Sequence, residues 1–156
     1  MPWEIAGQTS TEVVVTYNGG PPAGASASAP VVVATAAPGI FAVANSDGTL
    51  NSPSNPAKAG GFITIYGTGG GVTNPLGITG GLWPITASPA TLTLPVSVSI
   101  GGTNAIVLYA GSAPTLESGY VQINVSLPSG PQTSSAVNLV VAVGDSSSVA
   151  VPISIQ

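Results

Sequence analysis

Glycine and proline occur so often in this sequence that a long uninterrupted helix is not expected. The 156 residues include 21 Gly and 15 Pro, a content typical of disordered chains when the remaining residues are polar. Here 44% of the residues are hydrophobic, only 4% are charged and the mean hydropathy is +0.50. Disorder requires low hydrophobicity and high net charge. We therefore expect a folded, loop-rich protein that is long enough to bury a core.

β-Branched residues dominate the apolar part of the chain. There are 19 Val, 11 Ile and 15 Thr against 9 Leu, and branched side chains favour strands. Residues 94–100 and 120–127 alternate between apolar and polar side chains, which is the period of a half-buried strand. Further predicted strands are residues 12–17, 30–36, 62–66, 105–109, 136–143 and 149–155. Because Gly- and Asn-rich turns separate these short segments, the sequence predicts an all-β fold, an antiparallel Ig-like β-sandwich with an additional N-terminal two-strand segment.

The two ends of the chain resemble each other. The tripeptide QTS at residues 8–10 precedes the valines at 13–15, and the same tripeptide at 132–134 precedes the apolar run at 137–140. One interpretation is that residues 1–36 are the second half of one sandwich and residues 37–156 a complete sandwich; the alternative is that two low-complexity hairpins look alike by chance. Two strands without partners expose an edge and an apolar face, which proteins avoid or use for pairing with another chain.

Recognisable motifs are spread over nearly the whole chain. They are PWEIAGQTS (2–10), APGIF (37–41), NSDGTLNSPSNPA (45–57), IYGTG (65–69), LPVSVSIGG (94–102), YAGSAP (109–114) and VQINV (121–125). In this combination the chain resembles the acidobacterial (Solibacter-type) uncharacterised C-terminal domain family of secreted and cell-surface proteins. The resemblance implies a bacterial extracellular β-sandwich and no reaction. It also implies strands before the PWE segment, so we expect the first module to be truncated here or completed from elsewhere.

Charge and side-chain chemistry exclude several functions. The chain has five acidic residues, one Lys (Lys58), and no Arg, His or Cys. A nucleic-acid partner needs clustered cations, and Ser–His or Cys–His nucleophiles need residues that are absent here. No apolar run approaches the roughly 18 residues of a membrane-spanning helix. We therefore expect no enzyme, no cofactor and no membrane insertion.

Two segments carry weak candidates for ligand binding. Asn45, Asp47 and Asn51 place oxygen atoms at alternate positions, as the start of a calcium loop does, but the closing Glu is missing. An Asx-stabilised turn at Asp47 is the commoner structure, so no metal site is predicted. Trp83 lies in a long loop and is the candidate for stacking on a polysaccharide, with loop anchoring as the more common role of such a residue.

Scarce charge and unpaired N-terminal strands together favour self-assembly. We expect an extracellular or cell-surface structural protein whose copies join into a homo-oligomer, filament or surface layer by strand addition. The apolar contact is predicted to involve two runs of valine: Val13, Val14 and Val15, and Val31, Val32 and Val33. The alternative is a non-catalytic carbohydrate- or surface-binding accessory module of a larger secreted protein, which predicts a monomer.

Overall fold

The fold is nearly all β, as predicted. A computed structural model describes residues 3–17, 25–83, 88–129 and 134–156. Within those residues a short 3-10 helix, Trp3–Ile5, precedes twelve strands. The strands are β1 (Ser10–Tyr17), β2 (Ala25–Val32), β3 (Gly39–Asn45), β4 (Phe62–Thr68), β5 (Thr73–Asn74), β6 (Thr91–Leu92), β7 (Val96–Ile100), β8 (Thr103–Ser112), β9 (Val121–Ser126), β10 (Ser134–Val143), β11 (Ser146–Ser147) and β12 (Val151–Ile155). No helix in this part of the chain is long and apolar enough to cross a membrane.

The strands form two separate sheets. β1 and β2 pair only with each other, and we call this antiparallel pair the ribbon. The other ten strands form one curled antiparallel sheet with the order β11-β10-β7-β8-β9-β4-β3, to which β12 is joined through β10 and the short β5–β6 pair through β8. The predicted division at residue 36 falls between the ribbon and β3. Ala36 is nevertheless already buried in the core of the larger sheet.

β8 allows the large sheet to fold over on itself into a sandwich. At its start, β8 pairs with β7 across a two-residue turn in which Gly101 and Gly102 have φ values of 59° and 82°, a conformation that glycine adopts without strain. Further along, β8 pairs with β9, with a bulge between Val107 and Tyr109. The strand therefore belongs to both layers, and the bulge lies shortly after the change of partner between Ala105 and Ile106.

Alternating strands supply the core between the layers. In β9, Val121, Ile123 and Val125 are buried while the residues between them are partly exposed. β10 faces them with Val137, Leu139, Val141 and Val143, all of which are buried. Each such side chain contributes about 1.5–3 kcal/mol on burial. This core stabilises the sandwich without any contribution from the ribbon, whose side chains do not belong to it.

Loops cover two edges of the large sheet. Ala57 N donates to Ser154 O and Gln156 N donates to Ala57 O, so residues 57–59 protect the outer edge of β12. The end of β3 is protected by residues 49–51, since Asn51 N donates to Val43 O. Covering an edge in this way prevents unwanted pairing with another chain.

Candidate assembly surfaces

The register of the ribbon separates its side chains into two faces. Val13 pairs with Ala29, Val15 with Ala27 and Thr11 with Val31, and successive residues of a strand point to opposite sides. Val13, Val15, Tyr17 and Val31 therefore share one face with Thr11, Ala27 and Ala29, and we call this the apolar face of the ribbon. The opposite face holds Ser10, Glu12, Val14, Thr16, Ser26, Ser28, Pro30 and Val32.

The apolar face is open to solvent. Val13, Val15 and Tyr17 are 44%, 66% and 61% exposed. An isolated two-stranded hairpin is marginally stable in water, and a contiguous exposed apolar surface marks an interaction site. Among the described residues no other strand pairs with either long edge of the ribbon.

The six predicted valines are thus not equivalent. Val13, Val15 and Val31 lie on the apolar face, whereas Val14 and Val32 lie on the polar one. Val33 follows the strand, is half-buried, and donates its N–H to Thr9 O at the base of the ribbon. Only three of the six are therefore placed to make one continuous apolar contact.

In the internal sequence alignment, residues of the apolar face align with core residues of the sandwich. When the two QTS tripeptides are aligned, Val13, Val15 and Tyr17 correspond to Val137, Leu139 and Val141 of β10. Those three residues are buried in the sandwich. The side chains that are exposed in the ribbon therefore stand at positions whose counterparts are covered by a facing sheet.

The base of the ribbon is attached to the sandwich through Trp3. Its backbone N–H donates to Thr79 Oγ1 at 2.9 Å, and Thr79 Oγ1 in turn donates to Glu4 Oε2 at 2.8 Å. This hydrogen bond from Thr79 lowers the pKa of the exposed Glu4 carboxyl. The indole lies against Gly77, where a methyl group would sit 2.6 Å from Trp3 Nε1. Gly77 is thus required for the close approach of the ring.

A second attachment follows the ribbon. Ala37 N donates to Gly69 O at 2.9 Å. Gly69 has a φ of +73°, and a side chain there would overlap the carbonyl of Ala37, so glycine alone fits this position. The chain is therefore held to the sandwich both before β1 and after β2.

One stretch of the large sheet has an uncovered edge. Pairing of β8 with β7 ends at Ala105, and pairing with β6 begins only at Gly111. Residues 106–110 therefore have no partner strand on that side in the described part of the chain, and we call them the open edge of β8. Ile106 and Leu108 in this segment are 70% and 60% exposed. Unpaired N–H and C=O groups beside exposed apolar side chains form a template for an added strand.

Trp83, the candidate for stacking on a polysaccharide, is buried in the structure. Its side chain is 8% exposed. Its backbone pairs with the neighbouring loop, since Trp83 N donates to Leu116 O and Thr115 N donates to Trp83 O. The ring lines a cleft of about 380 Å³ together with Pro75, Leu76, Ile78, Leu82, Ser88 and Ser118. Its buried Nε1 has no hydrogen-bond partner among the residues that the structure describes. The largely buried Trp83 therefore fits the loop-anchoring role better than that of an exposed stacking platform.

The weak calcium candidates form a hydrogen-bonded turn instead. Asp47 Oδ1 accepts from Thr49 N at 3.0 Å and from Thr49 Oγ1 at 2.6 Å, and these bonds lower the pKa of the Asp47 carboxyl. Asn45 Oδ1 accepts from Asn51 Nδ2, and Asn51 Oδ1 accepts from Ser154 N. Each oxygen faces its own donor, so the three candidate residues do not converge on a cation. The predicted Asx-stabilised turn is confirmed, with Gly48 at a φ of 82°.

An exposed aromatic pair was missed from the sequence. The rings of Phe41 and Tyr120 lie 5.7 Å apart at an interplanar angle of 59°, and both side chains are exposed. Phe41 stands at a bulge in β3, between the paired residues Ile40 and Ala42. Because a bulge changes the direction of a side chain, periodicity alone does not place Phe41 on this surface.

No group of three or more His, Cys, Asp or Glu side chains that could hold a metal ion occurs in the residues that the structure describes. No family model, no curated protein and no solved structure matches the chain. The resemblance of its motifs to the acidobacterial family therefore stays a prediction. The candidate site rests on two geometric features, the apolar face of the ribbon and the open edge of β8.

Proposed function

We propose that the protein is a non-catalytic structural subunit that joins to copies of itself through its N-terminal ribbon and so builds a filament or surface layer. The observation that carries the proposal is the apolar face, on which Val13, Val15, Tyr17 and Val31 are exposed on a two-stranded element. Such an element gains stability when further strands of another chain pair with it. In this assembly the ribbon is the donor, meaning the element that one copy adds to a sheet of the next.

Strand addition is the mode of contact that the ribbon favours. Both of its long edges lack partners in the described chain, and main-chain hydrogen bonds along an open edge supply affinity for an added strand. The whole chain carries six charged residues, with a net charge of −4. Sparse charge leaves little repulsion between copies, since soluble monomers use surface charge to resist association.

The contact is heterologous, because the ribbon of one copy meets a different surface of the next. A head-to-tail contact of this kind propagates into a filament unless the rotation closes a ring. We place the assembly outside the cell or on its surface. A single Lys and no Arg leave one cleavage site for a trypsin-like protease, which suits a durable extracellular material.

Size-exclusion chromatography with light scattering, and negative-stain electron microscopy, test the proposal on the full chain. The wild-type protein is expected to form particles larger than one subunit. The double variant V13T/V15T is expected to stay monomeric, because Thr keeps the branched shape and strand preference of Val but places hydroxyls on the apolar face. V14T/V32T is the matched control: it makes the same chemical change on the polar face and is expected to assemble normally.

A wild-type protein that remains a monomer at concentrations of about 100 μM, well above the micromolar range of ordinary specific contacts, would contradict the proposal. So would equal effects of the two double variants. Unchanged far-UV circular dichroism in both variants shows that the sandwich itself is intact.

The alternative function, a carbohydrate- or surface-binding module, is favoured by a different observation. Phe41 and Tyr120 present neighbouring exposed rings, and aromatic faces are the usual platforms for sugar rings. A pull-down on insoluble polysaccharides tests it, with F41A/Y120A expected to lose retention and L50A, an exposed apolar residue elsewhere, expected to keep it. Absence of retention for the wild-type protein would eliminate this alternative.

A further inference from the structure

In the described part of the chain, β1, β2 and β8 each have an unpaired edge. Resting on the proposed function, we infer that the open edge of β8 in a second copy is the acceptor for β1 of the ribbon. The ribbon then extends the β8–β9–β4–β3 layer of the neighbouring subunit by two strands. Donor and acceptor are different surfaces, so every subunit in a row offers one of each.

The two edges match in length. The acceptor spans residues 106–110, between the end of pairing with β7 and the start of pairing with β6. The apolar half of β1 spans residues 13–17. Five residues is the common length of a strand, so the gap is long enough to pair with this half of β1.

The two edges also match in chemistry. Ile106 is 70% exposed and pairs with Ser126, which lies between the buried residues Val125 and Leu127, so Ile106 lies on the outer side of the β8–β9 ladder. Docking β1 with its apolar face on that side sets Val13 and Val15 beside Ile106 as cross-strand neighbours on the outer surface of the extended sheet. β8 contains no charged residue, and Glu12, the one charge in the described ribbon, lies on the opposite face. No buried charge therefore opposes the contact.

Comparison with β10 in the sandwich indicates which edge of β1 pairs with another subunit. β10 pairs with β12 on one side and with β7 on the other. In the ribbon, β2 takes the place of β12, and the side that corresponds to β7 is empty. A strand from another subunit on that side gives β1 the two neighbours that β10 already has.

Charge insertion at the open edge tests the acceptor. I106K and L108K are expected to fold normally, since both side chains are exposed, and to raise the concentration needed for assembly by about tenfold or more, because an unpaired charge is costly to bury. L50K is the matched control. Leu50 is also exposed but lies on the loop that covers β3, so L50K is expected to assemble like the wild type.

Cross-linking tests the same contact directly. The chain has no Cys, so a mixture of V15C and I106C proteins is expected to give an intermolecular disulfide on mild oxidation. A mixture of V15C and L50C proteins is expected to give none above the background of random collision. Cross-linking of both mixtures to the same extent would overturn the assignment of the acceptor.

These experiments distinguish two hypotheses: that β8 is the acceptor, and that the protein self-assembles through the ribbon. Wild-type assembly that is lost in V13T/V15T but unchanged in I106K and L108K would overturn the β8 acceptor and leave self-assembly through the ribbon standing. A wild-type monomer would overturn both. Loss of assembly in I106K and L108K, with L50K unaffected, supports the acceptor.

Discussion

Asn51 and Ser154 are joined by a pair of hydrogen bonds that imitates the pairing of two strands. Asn51 Nδ2 donates to Ser154 O at 2.9 Å, and Ser154 N donates to Asn51 Oδ1 at 2.8 Å. A side-chain amide thereby supplies the donor and the acceptor that a neighbouring strand would offer to β12. The same Nδ2 also donates to Asn45 Oδ1 at 2.9 Å. Asn51 thus connects the turn after β3 to the C-terminal strand.

Replacing Asn51 with Ala is expected to destabilise the sandwich. Three hydrogen bonds are lost, and at about 1 kcal/mol each the free energy of unfolding falls by about 2–3 kcal/mol. Urea denaturation followed by circular dichroism measures this change. N104A is the control, because Asn104 is exposed in β8; its effect is expected to stay within about 0.5 kcal/mol. A loss below that value for N51A would show that the amide pair contributes nothing to stability.

Replacing Gly77 with Ala is expected to release the base of the ribbon and leave the core unchanged. The added methyl group overlaps the indole of Trp3, and such overpacking costs about 1–3 kcal/mol. Amide hydrogen exchange in residues 3–9 is expected to accelerate by about tenfold or more, while exchange in β9 stays slow. G39A is the control, since its methyl group meets only Thr68 Cγ2 at 3.9 Å. Unchanged exchange in G77A would contradict the attachment through Trp3.

The contact between Glu4 and Thr79 is expected to weaken in acid. Because the pKa of Glu4 is lowered in the folded protein, its contribution is fully present above the unfolded pKa, near 4.5, and is lost as the pH falls through the lower folded pKa. An NMR titration of the Thr79 methyl signal detects the transition. In E4Q the signal is expected to be independent of pH over this range, and a transition that persists in E4Q would assign it to another group.

The same substitution, Val to Thr, is expected to change stability much more at Val141 than at Val15. V141T places a hydroxyl in the core and costs about 1–3 kcal/mol of stability. V15T alters an exposed residue, so in dilute monomeric protein its effect is expected to stay within about 0.5 kcal/mol. Thermal unfolding at low concentration measures both values. A comparable loss in V15T would show that the apolar face is already covered within one subunit.

Strands with strict alternation were predictable, and those shaped by their neighbours were not. Residues 120–127 predict β9 closely, because its two faces have different environments throughout. β3 was missed because its last three residues, Val43, Ala44 and Asn45, are all buried; the bulge at Phe41 and the loop over its edge remove the alternation. β2 begins at Ala25 and ends at Val32, not at residues 30–36 as predicted, because its alanines and serines carry no strand signal and pairing with β1 sets its position.

The sequence was sufficient to predict which segment forms the candidate site, but not which face or edge each of its residues occupies. The valine runs identify the ribbon, but only the register divides Val13 and Val15 from Val14. Trp83 is buried in a loop whose backbone pairs with Thr115 and Leu116, and no local pattern of the sequence reveals this long-range pairing. The open edge of β8 depends on where β7 leaves it, a property of the folded sheet alone.

The attachment of the ribbon at both of its ends has a consequence for the shape of any polymer. A donor held through one flexible link would give beads on a string, with each subunit free to swivel. Here Trp3 is bonded to Thr79 before β1, and Ala37 is bonded to Gly69 after β2. Two fixed points define the direction in which the ribbon leaves the sandwich, and so the rotation from one subunit to the next. A fibre built through this ribbon would therefore be stiff and have a regular helical pitch, which image averaging in electron microscopy resolves.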